Sequence, residues 1–214
     1  MTEAEAGWDQ HQYMLDHGDD YFASQYGRSD FLPFAYRVAS LAWLRRRIAE
    51  SVDLEIAELN DQRRTGVHRI PGWEGESDMI LEESLYTVDT DTRQIGAGVI
   101  VGAAVAALES LMNQTLGKPG DARLHRAGLT QKANALQLRW QTVIDAAEFG
   151  EHIAWLRDRR NSFAHRLIDD DATEPSSTRT WAFDDRMAAE SLSRIGAVAR
   201  MLEEGHEQEL TALD

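Results

Sequence analysis

The 214-residue chain contains no cysteine. That excludes disulfides, thiolate metal sites and a Cys nucleophile together, and it fits a reducing compartment. Proline is scarce, with four in the whole chain, and alternating β-branched runs are few, so a strand-built fold has no signature here. Lysine is almost missing: Lys118 and Lys132 stand against 20 arginines. Basic residues as a class fall short, 22 against 37 acids, for a formal charge of −15. A body of that charge does not coat duplex nucleic acid, which requires basic surface to displace counterions from phosphates. Long apolar runs are also missing. The longest uncharged stretch near the middle, Gln94 to Leu108, has 15 residues, short of the roughly 20 that span a bilayer. The start, Met1 to Ala6, is acidic and has neither region of a secretory signal. These absences lead to the expectation of a cytoplasmic domain with no membrane partner.

What is present reads as helix. A hydrophobic fraction of 43% is ordinary for a folded chain. Residues 1–28 form a polar, aromatic-dotted N-terminal segment, and residues 29–214 read as one helical domain. Ser29-Asp30-Phe31-Leu32-Pro33 marks a helix start with Pro in its first turn. Phe34, Val38, Leu41, Ile48, Val52, Ile56 and Leu59 continue it as one stripe to about Arg64. Residues 66–92 carry Gly66, Pro71, Gly72, Gly75 and many acids without a sustained period. They predict a long connection with one short element around Met79 to Leu85, a length usually tied to function. A second helix is expected from Arg93 to Leu116, ended by Gly117-Lys118-Pro119-Gly120. Its half from Ile95 to Leu108 is apolar on every side, as in a surrounded helix, and Gly96, Gly98 and Gly102 would admit close neighbours. Further helices are expected at Leu129–Phe149, Glu151–Ile168 and Asp184–Leu210, with Asp169-Asp170-Asp171 and Pro175 to Thr178 breaking the chain. The fold class is all-α, an up-and-down bundle of about five helices with a long loop between the first two.

Several familiar motifs fail on spacing. Gly96-x-Gly98-x-x-x-Gly102 has the wrong interval for a dinucleotide fingerprint and no strand before it, and Gly117-Lys118 lacks the loop of a phosphate cradle. His11, Asp16, His17, Asp19 and Asp20 read as a solvated acidic segment, since neighbours on a helix point apart and no second cluster completes a metal site. No metal or cofactor is expected. Neither H-E-x-x-H nor G-x-S-x-G occurs, which leaves zinc-protease and hydrolase readings without support.

One stretch carries chemistry. On the helix containing His152 to Leu167, the residues Ile153, Leu156, Arg160, Phe163 and Leu167 share a stripe, so Arg160 interrupts an apolar face. A guanidinium there needs something anionic to meet it. Asn161 and His165 are i and i+4 and share another face. From Arg157 to Arg166 there are four arginines against Asp158, a basic island in an acidic chain. An Arg fork can hold a phosphate, His can move protons near neutral pH and Asn can orient either. An Arg and a His at this spacing arise by chance about 0.7 times in such a composition, and Arg63 to His68 is a second instance. Adding Asn directly after Arg lowers the expectation to about 0.01. The residues alone leave open a plainer alternative, an Arg salt-bridged to a neighbouring helix beside a surface His.

Arg160-Asn161-Ser162-Phe163-Ala164-His165, late in a helical bundle, resembles the motif of the HEPN superfamily, an Arg followed by a polar residue and then a His. Ala107-Leu108-Glu109-Ser110-Leu111-Met112-Asn113 is similar to the family's apolar helix carrying an acid and an Asn. The resemblance covers about Arg93 to Leu167. It implies a metal-independent endoribonuclease, a toxin or defence effector, working as a homodimer with two Arg/His pairs facing one cleft. Arg160 would then bind the scissile phosphate of a single-stranded or looped RNA, His165 would act as general acid/base, Asn161 would assist, and Glu109 would orient Arg160. It also implies a possible antitoxin or regulatory protein as partner. A HEPN-like dimer without catalysis, binding a nucleotide or a protein, is the alternative from another class.

Overall fold

In the computed structural model, residues 16–117, 122–166 and 183–212 are described. Among them are the helices α1 (Leu32–Thr65), α2 (Glu74–Thr87), α3 (Arg93–Thr115), α4 (Ala122–His125), α5 (Leu129–Arg139), α6 (Ala146–Arg166) and α7 (Asp185–Thr211), and no strand. A five-residue π-turn, Val88–Thr92, joins α2 to α3 without a break. Glu74–Thr115 is therefore one 42-residue rod, about 63 Å long at 1.5 Å per residue. Counting that rod as one body, five long helices make an all-α bundle.

Local chemistry explains most of the boundaries. Pro33 sits in the first turn of α1 and Gly66 closes that helix at φ 72°, a left-handed conformation that glycine adopts without Cβ strain. The Asp184 carboxylate accepts from the Met187 N–H at 2.7 Å to cap α7. Asp145 does the same for α6, accepting from Ala147 N–H at 2.8 Å. This cap corrects one expectation: the helix foreseen from Leu129 to Phe149 stops at Arg139, and a new one starts at Ala146. The aspartate captures amide donors that a continuous helix would have spent internally.

The connection after α1 is also shorter than the sequence pattern suggests. Helix resumes at Glu74, so only residues 66–73 bridge the two. The missing period has a physical cause, because α2 buries just Ser77 and Leu81. A helix with so little to bury leaves no apolar stripe to detect.

α3 and α7 run in the same direction back to back and form the short diagonal of the bundle, with α1 and α6 at the outer corners. Leu108, Leu111 and Met112 of α3 and Leu192, Ile195, Val198 and Leu202 of α7 are fully buried between them. An 18-residue window of the rod has mean hydropathy 1.9, enough for a membrane helix, but 56% of it is buried in the bundle. Two of the three rod glycines serve close packing. A Cβ at Gly96 would stand 2.6 Å from Ile48 Cγ2, and one at Gly98 would run into the Phe163 ring. Gly102 faces open space, contrary to the expectation for it. The rod is central without being surrounded: Ile95 (48% exposed), Val99 (44% exposed) and Ala106 form an uncovered stripe. Residues 16–28 lie against α7, with Phe22 fully buried and Ser24 hydrogen-bonded to Glu203. Residues 1–15, the tract Asp169-Asp170-Asp171, the stretch Pro175 to Thr178, and Lys118, Pro119 and Gly120 lie outside the described residues.

Candidate functional site

α6 lies across α3 through the stripe read from its sequence. Ile153 and Leu156 are buried, and Phe163 meets Phe183 edge-on with ring centroids 5.4 Å apart. Arg160 falls within this stripe and finds an anion, as a guanidinium on an apolar face must. Its Nη1 donates to Glu109 Oε1 at 2.9 Å, and its Nη2 donates to Asn161 Oδ1 at 3.4 Å. The Arg160 side chain is 35% exposed and that of Glu109 24%. The pair is thus held by the protein yet open on one side to a ligand.

The structure therefore brings together three of the four residues named from the sequence: Arg160, Asn161 and Glu109. His165 lies in the last turn of α6, and its side chain is outside the described residues.

Two further residues join from α3 and α1. Ser110, beside Glu109, accepts from Arg37 Nη1 at 2.9 Å, so arginines from α1 and α6 reach adjacent residues of α3. A shallow groove of about 360 Å³ runs along the Arg37–Ser110 contact, lined by Arg37, Ser40, Leu41, Ala103, Ala106 and Ser110 among others, and includes none of Arg160, Asn161 and Glu109. Asn113, one turn beyond Glu109, has a buried Oδ1 without a hydrogen-bond partner among the described residues. A buried acceptor left open is uncommon. Arg37 had no signal in the sequence, because it is one of many arginines on α1 and only the fold sets it beside Ser110.

The basic island of α6 is less concentrated than its sequence suggests. Arg157 is tied to its neighbour Asp158 at 2.8 Å. Arg159 stacks on Trp155 at 5.0 Å, a ring that Arg194 also approaches at 4.9 Å. Successive positions on a helix point about 100° apart, so Arg160 alone of these three joins the α3 carboxylate. The other Arg/His match proves structural: Arg63 pairs with Glu82 at 2.8 Å, and His68 binds the Gln62 carbonyl at 2.9 Å and Asp78 at 2.8 Å. A separate cavity of about 240 Å³ between α1, the π-turn, α3 and the start of α7 includes none of Arg160, Asn161 and Glu109.

Comparison of the chain with protein-family models, with curated proteins and with solved structures finds no match.

Proposed function

We propose that the protein is a metal-independent endoribonuclease of HEPN type, a toxin or defence effector that cuts RNA in a cleft shared by two copies. The observation that carries this reading is the placement of Arg160: an arginine on an apolar helix face, fixed by Glu109 across the helix interface and by Asn161 beside it, with one side open. In the reaction, the RNA 2′-hydroxyl attacks the adjacent phosphorus as His165 takes its proton. The 5′-oxygen leaves with the proton that His165 returns, and a cyclic phosphate remains. Arg160 meets the charge that develops on the phosphoryl oxygens, and Glu109 keeps its fork from swinging away. The uncovered stripe of Ile95, Val99 and Ala106 beside the site supports a second copy as its cover, since a central helix rarely leaves apolar side chains to water. The acidic body restricts binding to a narrow site.

The second reading, a non-catalytic dimer binding a nucleotide or a protein, is favoured by the same ion pair seen differently: a guanidinium already neutralised by Glu109 has a structural role without any phosphate. One assay separates the two. Purified protein is incubated with single-stranded RNA in EDTA, beside Arg160→Ala and His165→Ala. Cutting by the wild type and none by either variant is the expected result. Equal activity in His165→Ala removes the catalytic assignment, and no cutting by any of the three leaves the binding module.

A further inference from the structure

The distal half of α1 and the whole of α2 form a two-helix arm. α2 packs on α1 and on the π-turn, and its outer face has no neighbour among the described residues. Of fourteen large hydrophobic residues exposed among the described residues, six fall between Val67 and Tyr86: Val67, Ile70, Trp73, Met79, Ile80 and Tyr86, each more than 60% exposed. Single exposed apolar residues need no explanation, but six within one turn of loop and one short helix do. Trp, Tyr and Met are also the types that protein interfaces favour.

Together with the π-turn, the arm carries more than half of the chain's net charge, −8 of −15. From Asp53 to Asp91 there are eleven acids and three arginines. The three arginines are all engaged within the arm: Arg63 with Glu82, Arg64 with Asp61, and Arg69 with Asp78. Glu55, Glu58, Glu76 and Glu83 join no ion pair among the described residues. An apolar patch set in this field repels RNA and anionic lipid alike and attracts a cationic partner.

The tip is also held in shape before any partner arrives. His68 bridges the Gln62 carbonyl and Asp78. Ser77 Oγ accepts from the Ile70 N–H at 3.2 Å and donates to the Trp73 carbonyl at 2.9 Å. The bend uses two glycines in left-handed conformation, Gly66 at φ 72° and Gly72 at φ 86°. An ordered tip lowers the entropy lost on binding.

We propose that this arm is a docking surface for a basic segment of a partner protein that carries bulky apolar side chains, its cations meeting Glu76 and Glu83 and its apolar residues covering Trp73 and Ile80. The proposal is independent of the ribonuclease reading, because it uses no residue of that site.

The test measures binding of three labelled synthetic helical peptides to the full chain by fluorescence anisotropy at physiological salt. One has a lysine face and a leucine face, one has glutamate in place of lysine, and one has serine in place of leucine. The Lys/Leu peptide is expected to bind and the other two are not. The double variants Trp73→Ser/Ile80→Ser and Glu76→Gln/Glu83→Gln, whose folding circular dichroism verifies, are each expected to weaken it at least several-fold, the second with a shallower salt dependence. The proposal falls if the Lys/Leu peptide does not bind, if either variant leaves its affinity unchanged, or if the Glu/Leu peptide binds as well. It falls also if the wild type binds vesicles of anionic phospholipid through this patch. Sedimentation supplies the last arm: a dimer that Trp73→Ser/Ile80→Ser dissociates would make a second copy of this chain the occupant, overturning the proposal.

Discussion

The two halves of the 42-residue rod are one helix in two environments. α3 buries eleven of its residues and organises the bundle, whereas α2 buries two and stands in solvent. Helix formation is cooperative once nucleated, so the backbone carries straight through the π-turn although the reason for being helical changes. In α3 the reason is tertiary, an apolar surface that neighbours cover. In α2 it is continuity with α3 together with the clasp at the tip. A π-turn of this kind is often found where function needs an irregular helix, and here it marks the boundary between the packed half and the free half.

The largest test of that contrast is chemical. Cleavage should vanish in Arg160→Ala and His165→Ala, and Glu109→Gln should lower it by roughly 10- to 100-fold, as expected when a catalytic group loses its fixed position. Single-turnover rates on one RNA substrate measure all three. Activity untouched in Glu109→Gln would mean that α3 does not orient Arg160.

Next in size is stability. Leu108→Ala, in the fully buried half, should cost about 2–5 kcal/mol in denaturant unfolding. Leu54→Ala, on the arm side of α1 and 72% exposed, should change stability by no more than about 0.5 kcal/mol. Similar losses at both sites would show that the arm is packed after all.

The glycines give a smaller and opposite-signed pair. Gly98→Ala pushes a methyl group into the Phe163 ring and should destabilise by about 1–3 kcal/mol. Gly102→Ala enters open space within a helix and should stabilise by up to about 1 kcal/mol. If a second copy covers the stripe beside Gly102, the same substitution should weaken dimerisation measured by sedimentation.

The smallest effect concerns the tip. The Arg69 guanidinium, and after it the His68 ring, hold the Asp78 carboxyl at about 2, below its ordinary 3.8. A carboxyl depressed on folding supports the clasp fully above its unfolded value and loses that support as pH falls through its folded one. Limited proteolysis of residues 66–73 should therefore accelerate from about pH 4 down to about pH 2. In Asp78→Asn it should be fast at every pH and lack that rise.

Much of this was legible beforehand. The stripe from Phe34 to Leu59 marked α1, and the uniformly apolar run after Arg93 marked the central helix, because buried surface imposes a period or removes it. The interrupted stripe of α6 called for something anionic facing Arg160, and the Glu109 carboxylate is there. The arm was illegible for the converse reason: α2 buries almost nothing, so its sequence resembles a loop. The split between α5 and α6 carried a signal, Asp145 before Ala146 and three positions ahead of Glu148, that the apolar pattern across it concealed.

The sequence by itself determined the helical class, the spans of α1, α3 and α7, the lack of thiol chemistry and the odd arginine on an apolar face. Those follow from composition and from periodicity along one helix. Tertiary structure decided which carboxylate meets Arg160, that Arg37 reaches the neighbouring serine, which glycines are filled by neighbours, and that half of the rod stands free. Each of these depends on which helix lies beside which, and no spacing along a single chain encodes the side chains waiting on the other side.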